Sequence, residues 1–543
     1  MSKSKSSRFD DSNQNHSSEA NNSLSETINV DNSITVLERI SRLYAEQLMS
    51  DVSLVVGGTE YPSHRLILCT TSDVFQVMLM KPEWTECGES RVVLQETPEC
   101  ASVFASFLKY FYTGQIAITD SKIIPLLALA DKYNVKSLED ICISYMKSHI
   151  AHAATQNQLI SWLQYAAATG HNEIARLCHN FVRWNLEMVA ESSDFDNLEL
   201  DMLINILQQS DLVIHDELRL YECISRWIQA QSARIIEEHS NTEESEKNIQ
   251  KIVYSVMSYI RFPMMTPRQL ADLLLNPLTA KYKEFFVDRF AIGMSFHSNQ
   301  LDRIQETITC LEEGKLLFQP RLYTSDCWST LLTVENYHSL PCYHTSTFVF
   351  SSHSTLAEHG ADRLCEWVVD LFPKGVWFRK YLLIVWQGTV EVPETVLRTV
   401  RLAITCKDPP EAIHLPGRSS IYPDMRVKVG ILISGCQGGI EHVMTVKEKI
   451  HHFSVNDRVM NIDDLIPFDD LNPPAVASSG GSDAKVNRTE RHFCTNDASY
   501  TPSSEYHSHE SYLVGPEHNE LKLHIVISPL SDNFDLSNPI QIE

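Results

Sequence analysis

The sequence predicts a multidomain protein: an α/β domain, then an all-α helical array, then an all-β sandwich. Three successive patterns of apolar spacing predict it. Between residues 34 and 150, stretches that alternate every second residue are interleaved with stretches that repeat every third or fourth. From 151 to 300 only the helical spacing persists, and from 318 to 543 short runs rich in Val, Ile, Trp and Phe are parted by Gly, Pro and Asp. A chain of 543 residues is too long for one core, which agrees with several domains.

Residues 1–33 are rich in Ser, Asn, Asp and Glu, with too little apolar surface to offset chain entropy, and read as a disordered tail. Ile34, Leu37, Ile40, Leu43 and Leu48 then recur at helical spacing behind Ser33, a suitable N-cap. Val52, Leu54 and Val56 alternate as in a strand, and Gly57-Gly58 supplies the positive-φ positions of a hairpin turn. Residues 72–80 form a capped helix carrying Val74, Phe75, Met78 and Leu79, stopped by Lys81-Pro82. A short strand at 91–94 follows, then a helix over 101–113 closed by Gly114. Helices at 123–133 and 137–146 complete the α/β domain.

Helical runs at 157–170, 173–189, 199–212, 217–230, 249–260 and 266–275 are joined by short connections, which fits an antiparallel array. The acidic stretch 237–247 reads as an exposed loop between two of them. Near Arg261, the residues Phe262, Met264 and Met265 read as core beside a proline stop, not as a basic patch. Strands are expected at 363–372, 376–388, 400–406, 427–435 and 521–530, with a long disordered insertion at about 473–508. Trp367, Phe378 and Trp386 are expected to pack in the sandwich core.

A net charge of -25 argues against a general nucleic-acid binder, because phosphate contacts draw on clustered Lys and Arg. The basic residues near the N-terminus have no apolar run behind them, and no stretch of membrane-spanning length occurs, so no secretory leader, anchor or membrane contact is expected. The expectation is a soluble protein of the cytoplasm, with the nucleus as a second compartment. The 13 cysteines are odd in number, scattered and without a CxxC pair, and read as reduced thiols. The sequon at Asn487 then reads as chance. His451-His452, His507 and His509 have no Cys or carboxylate at ligand spacing, so no metal or other cofactor is expected. GxSxG, P-loop, GxGxxG and HExxH patterns are missing, which points to a non-catalytic chain.

Four blocks carry a family resemblance. Asp51, Val52, Leu54 and Val56, then Tyr61, His64, Arg65 and Leu68, then Ser72 and Phe75, then Leu108, Tyr110, Tyr112, Thr113 and Gly114 follow the order and spacing of the BTB/POZ domain. Tyr61 stands for the usual Phe and Ser63 for the usual Ala. Residues 178–228 and 260–274 resemble the BACK domain that follows BTB domains in many adaptors, and 367–378 with 521–528 look like a TRAF-like or MATH sandwich. The resemblance implies a BTB/POZ domain at 34–150, a BACK domain at 151–300 and a TRAF-like sandwich at 318–543.

It also implies partners. The first helix would pack on its counterpart in a second chain through Ile34, Leu37, Ile40 and Leu43, giving a homodimer. Family members that recruit a cullin scaffold carry a hydrophobic residue, any residue and an acid after the helix bearing Phe75; Trp84-Thr85-Glu86 fits, with an aromatic anchor and an orienting carboxylate, and the cullin contacts implied are Phe75, Met78, Trp84 and Glu86. BACK helices at about 157–185 would extend that surface, and the sandwich would hold an unknown protein substrate. The function implied is a substrate-recognition adaptor of a cullin-RING ubiquitin ligase. The alternative is a dimeric scaffold or transport factor that works without a cullin; zinc fingers, the usual mark of a transcriptional role, are missing. Asp51, His64 and Arg65 read as fold-signature charges held in a structural ion pair, with Asp51 ending the dimer helix and Arg65 starting the next.

Overall fold

A computed structural model describes residues 31–238, 242–357, 364–377, 384–385, 388–389, 397–408, 425–473 and 511–530. The tail up to residue 30, the insertion beyond 473, Phe378, Trp386, Asn487, His507 and His509 lie outside the described residues. Contacts group residues up to 117, with 132–134, into one compact unit, and residues 118–131 and 135 onward into a second.

In the first unit, apolar alternation becomes strand β1 (Val52–Val56), which follows helix α1 (Ser33–Ala45) and pairs antiparallel with β2 (Thr59–Ser63). Gly57 and Gly58 make that turn at φ 56° and 83°, where a Cβ would be strained. Helices α2 (Arg65–Thr71) and α3 (Asp73–Met80) lead to β3 (Arg91–Leu94), parallel to β1, and to α4 (Pro98–Thr113). The Thr97 hydroxyl caps α4 by accepting from Cys100 N–H, and Gly114 ends it at φ 65°. Leu54, Leu68, Phe75, Phe104 and Phe107 are fully buried and form the core.

The second unit begins with α5 (Ile123–Lys132), whose last residue falls in the first unit, and α6 (Lys136–Ser148). Apart from 132–134, both helices cluster by contact with the helical array that follows. The array continues through α7 (Ile150–Thr155), α8 (Leu159–Thr169), α9 (Asn172–Trp184), α10 (Leu186–Ala190), α11 (Leu200–Gln208), the two-residue strand β4 (Val213–Ile214), α12 (Glu217–Glu238) and α13 (Thr242–Met257). The loop expected over 237–247 is thus largely helix. Glu243 and Glu244 occupy the first turn of α13, where carboxylates favour the positive end of the helix dipole, so acidity here marks a helix start. Helices α14 (Pro267–Leu273), α15 (Pro277–Lys281), α16 (Lys283–His297), α17 (Leu301–Cys310) and α18 (Gly314–Leu317) lead to β5 (Leu322–Tyr323), which pairs in parallel with β4. Phe262 and Met265 are buried as expected, whereas Met264 is only half-buried.

The sandwich is built from β6 (Ser329–Val334), β7 (Ser346–His353), β8 (Leu364–Phe372), β9 (Ile384–Val385), β10 (Gly388–Thr389), β11 (Arg401–Cys406), β12 (Met425–Gln437), β13 (Ile440–Phe453), β14 (Val459–Ile462) and β15 (Leu521–Pro529). Two four-stranded antiparallel sheets run β14–β11–β8–β7 and β13–β12–β15–β6. Cys365, Trp367, Val369 and Leu371 alternate inward from β8 to face Val429, Ile431, Leu523 and Ile525. The Trp367 indole is core, as expected, and donates to Ser352 Oγ at 2.9 Å. Of the strand expected at 376–388, Val376 and Trp377 lie outside any strand, 384–385 form β9 and Gly388 begins β10; 378–383 and 386–387 lie outside the described residues.

Candidate protein-interaction site

The segment between α3 and β3 is built from local signals. The Ser72 hydroxyl caps α3 by accepting from Phe75 N–H at 3.1 Å, and Pro82 follows soon after the last helical residue. Trp84 N–H then donates to Lys81 C=O at 3.1 Å, and a 3₁₀ turn over Thr85–Gly88 follows. Trp84 is 48% exposed, Glu86 is half-buried, and the Thr85 hydroxyl donates to Glu86 Oε2 at 2.9 Å. The pair is thus presented together on an ordered turn, with Met80 exposed nearby in sequence. The other two expected contacts are not at the surface. Phe75 is fully buried and stacks on Tyr133 with ring centroids 4.6 Å apart, and Met78 is buried. Both lie on the apolar face that holds α3 to the core, so they support the turn from within.

The three signature charges do not form the ion pair expected of them. Asp51 lies beyond the end of α1, next to β1, and is exposed; its Oδ1 accepts from the main-chain N–H of Arg65 at 2.8 Å, satisfying a free donor at the start of α2. The Arg65 guanidinium donates instead to main-chain carbonyls: Leu79 and Cys87, each at 3.0 Å, and Glu89. His64 bridges Tyr112 Oη through Nδ1 at 3.0 Å and Leu48 C=O through Nε2 at 2.6 Å. The Arg65 charge serves the backbone because the residue is only half-buried, and water relieves the need for a carboxylate.

Helix α1 has no buried residue. It leans on α4: the Tyr44 phenol donates to Ala105 C=O at 3.2 Å, and its ring lies 5.3 Å from that of Tyr112. Ile40 and Leu43 are half-buried, whereas Ile34 (75% exposed) and Leu37 (44%) are open, as is Val36, which the sequence reading did not single out.

A second set of residues was missed altogether. Inside the second unit, Glu217 is completely buried and accepts from Arg261 N–H at 2.7 Å, Arg321 Nε–H at 3.2 Å and the Tyr323 hydroxyl at 2.7 Å. Arg321 also donates to Gln209 and Tyr259 C=O at 2.7 and 2.9 Å, and Arg261 to Gln319 C=O at 2.7 Å. Burial first, and the Glu217 charge second, push the Tyr323 phenol far above its ordinary range; burial, then Arg321, pull Arg261 down to about 9. Beside this network Val213, Leu322, Leu432 and Val526 share one apolar cluster. Asn185 brackets Val443, accepting from its N–H at 2.8 Å and donating to its C=O at 3.0 Å. Helical array and sandwich are therefore joined by buried polar and apolar contacts.

Among the described residues, Asp131, Glu139 and His171 place ligand-type atoms within 4.8 Å of one another, but each already has a partner. His171 Nε2 and Tyr165 Oη sit 2.9 and 3.0 Å from Asp131 Oδ2, and Glu139 pairs with Lys136 at 2.8 Å. The twelve described cysteines are free thiols. No described helix is long and apolar enough to cross a membrane.

Comparison with known families places three models along the chain: the BTB/POZ domain at 40–150, BTB And C-terminal Kelch at 159–275 and the BTBD17 TRAF domain at 318–531. The chain carries BTB, BACK and TRAF domains. The BTB match holds the Trp84–Glu86 turn and the second half of α1 from Ile40 on, while Glu217, Arg261 and Asn185 lie in the BACK match and Arg321, Tyr323 and Val443 in the TRAF match. BTB/POZ domain-containing protein 17 from Homo sapiens is 28% identical over 353 residues, covering 64% of this chain and 67% of the human protein. Its counterpart from Xenopus laevis is 27% identical over 354 residues, 64% of this chain and 69% of that one. Galectin-3-binding protein from Mus musculus is 26% identical over 308 residues, so the match takes in about half of that relative, 49%.

Proposed function

We propose that this chain is a dimeric substrate-recognition adaptor: BTB and BACK domains dock the cullin scaffold of a RING ubiquitin ligase, and the TRAF domain holds a protein substrate. The observation that carries the reading is the Trp84–Glu86 turn, where an exposed indole and a carboxylate stand together on ordered backbone. Such a pair offers an anchor for a partner's pocket and a rim charge to orient it. The open apolar residues Ile34 and Leu37 on α1 favour a second copy of the chain, because a two-fold contact lets one stripe serve both partners. The substrate would add as an extended peptide along β7, a border strand of its sheet among the described residues, with Val349 exposed. BTB, BACK and TRAF domains are typically non-catalytic adaptor domains. The chain's contribution to ubiquitin transfer is then proximity and orientation, in the cytoplasm and nucleus.

In cells, ubiquitin on proteins held by the TRAF domain should fall when cullins are inhibited and fall equally in a Trp84→Ala chain. Ubiquitination indifferent to both would favour the reading as a scaffold that works without a cullin.

A further inference from the structure

We infer that Arg65 is the positioning residue of the Trp84–Glu86 turn, holding both ends of the turn in the pose a scaffold protein meets; the partner rests on the proposed adaptor reading. The turn has little else to hold it. None of Thr85–Gly88 is buried, and the hydrogen bonds inside the turn, Cys87 N–H to Trp84 C=O and Glu89 N–H to Glu86 C=O, are long at 3.2 and 3.3 Å. The Arg65 guanidinium reaches three carbonyls along the segment: Leu79 in the last turn of α3, Cys87 inside the 3₁₀ turn, and Glu89 beyond it. The carbonyl of Leu79 belongs to the last turn of a helix, which lacks helical partners, so a side-chain donor there closes α3 and ties the turn to it at once.

Arg65 is itself fixed, since its N–H is held by Asp51 at the start of α2. A planar fork of five N–H groups can hold three acceptors in one fixed arrangement, which a lysine ammonium on a flexible stem cannot. If the turn were loose, only a fraction of molecules would present Trp84 and Glu86 correctly, and apparent affinity would fall by that fraction. A residue that never touches the partner thereby sets how tightly it binds.

The test uses the full chain with Arg65→Met and Arg65→Lys. Hydrogen exchange at the Cys87 and Glu89 amides and affinity for the N-terminal half of a cullin are read together. Arg65→Met should speed exchange of those two amides about tenfold or more while amides of β1 and α4 keep their rates, and should weaken binding by a similar factor. Arg65→Lys should fall between. Trp84→Ala should abolish binding yet leave exchange at Cys87 and Glu89 unchanged, which separates the contact residue from the one that positions it. Unchanged exchange in Arg65→Met, or faster exchange throughout the first unit, overturns the inference. A wild-type chain that binds no cullin removes the partner, and the exchange pattern alone still decides what Arg65 does.

Discussion

Arg65 and Arg321 both donate to main-chain carbonyls, Arg65 to Leu79, Cys87 and Glu89, and Arg321 to Gln209 and Tyr259. Their settings differ in one respect. Arg65 is half-buried, and its neighbour Asp51 is used by the main chain; Arg321 is fully buried and faces the Glu217 carboxylate. Partial access to water lets a guanidinium serve as a backbone staple on its own, whereas full burial demands a counter-charge and a complete set of acceptors. The first arrangement suits an exposed surface turn. The second suits a junction that keeps the TRAF domain fixed on the BACK helices.

The largest way to break the contrast is Glu217→Ala, which strands the buried Arg321 charge. Chemical denaturation should show a loss of about 3–5 kcal/mol. Arg65→Met should lose clearly less, because water reaches the groups it leaves; equal losses would mean that burial does not govern the difference. Asn185→Ala comes next: it leaves both main-chain groups of Val443 without their partner, and the same assay should register about 1–3 kcal/mol.

The smallest expected effect is a pH dependence in the sandwich. Burial holds the His524 imidazole below its ordinary 6.5, with Nε2 2.9 Å from Ser329 Oγ. The unfolded chain therefore takes up this proton first, and stability should decline as pH drops through about 6.5 toward the lower folded value. His524→Gln should flatten that slope, as read by thermal unfolding between neutral and mildly acidic pH.

Local signals made much of the fold legible in the sequence. Gly57-Gly58, Ser72 and Gly114 each announce a turn or helix end through chemistry confined to a few residues. The strand β13 escaped because Lys447, Glu448, Lys449 and His451 replace apolar alternation on a half-exposed strand. The candidate turn was legible because an aromatic and an acid two apart are visible as letters, and both reach the surface. Phe75 and Met78 were assigned to it only by their proximity in sequence, although the apolar face of α3 has to point inward. The partners of Arg65 could not be read, since a carbonyl has no side-chain signature. Glu217 and Arg321 stand 104 residues apart, and nothing local marks either as the other's partner.

Titration calorimetry of the full chain with the N-terminal half of a cullin tests the central claim most directly. The account predicts saturable binding at one cullin per protomer, lost in Trp84→Ala and in Glu86→Lys while both variants unfold at the wild-type temperature. Heat of binding that is unchanged by either substitution, or no binding by the wild type, would contradict it.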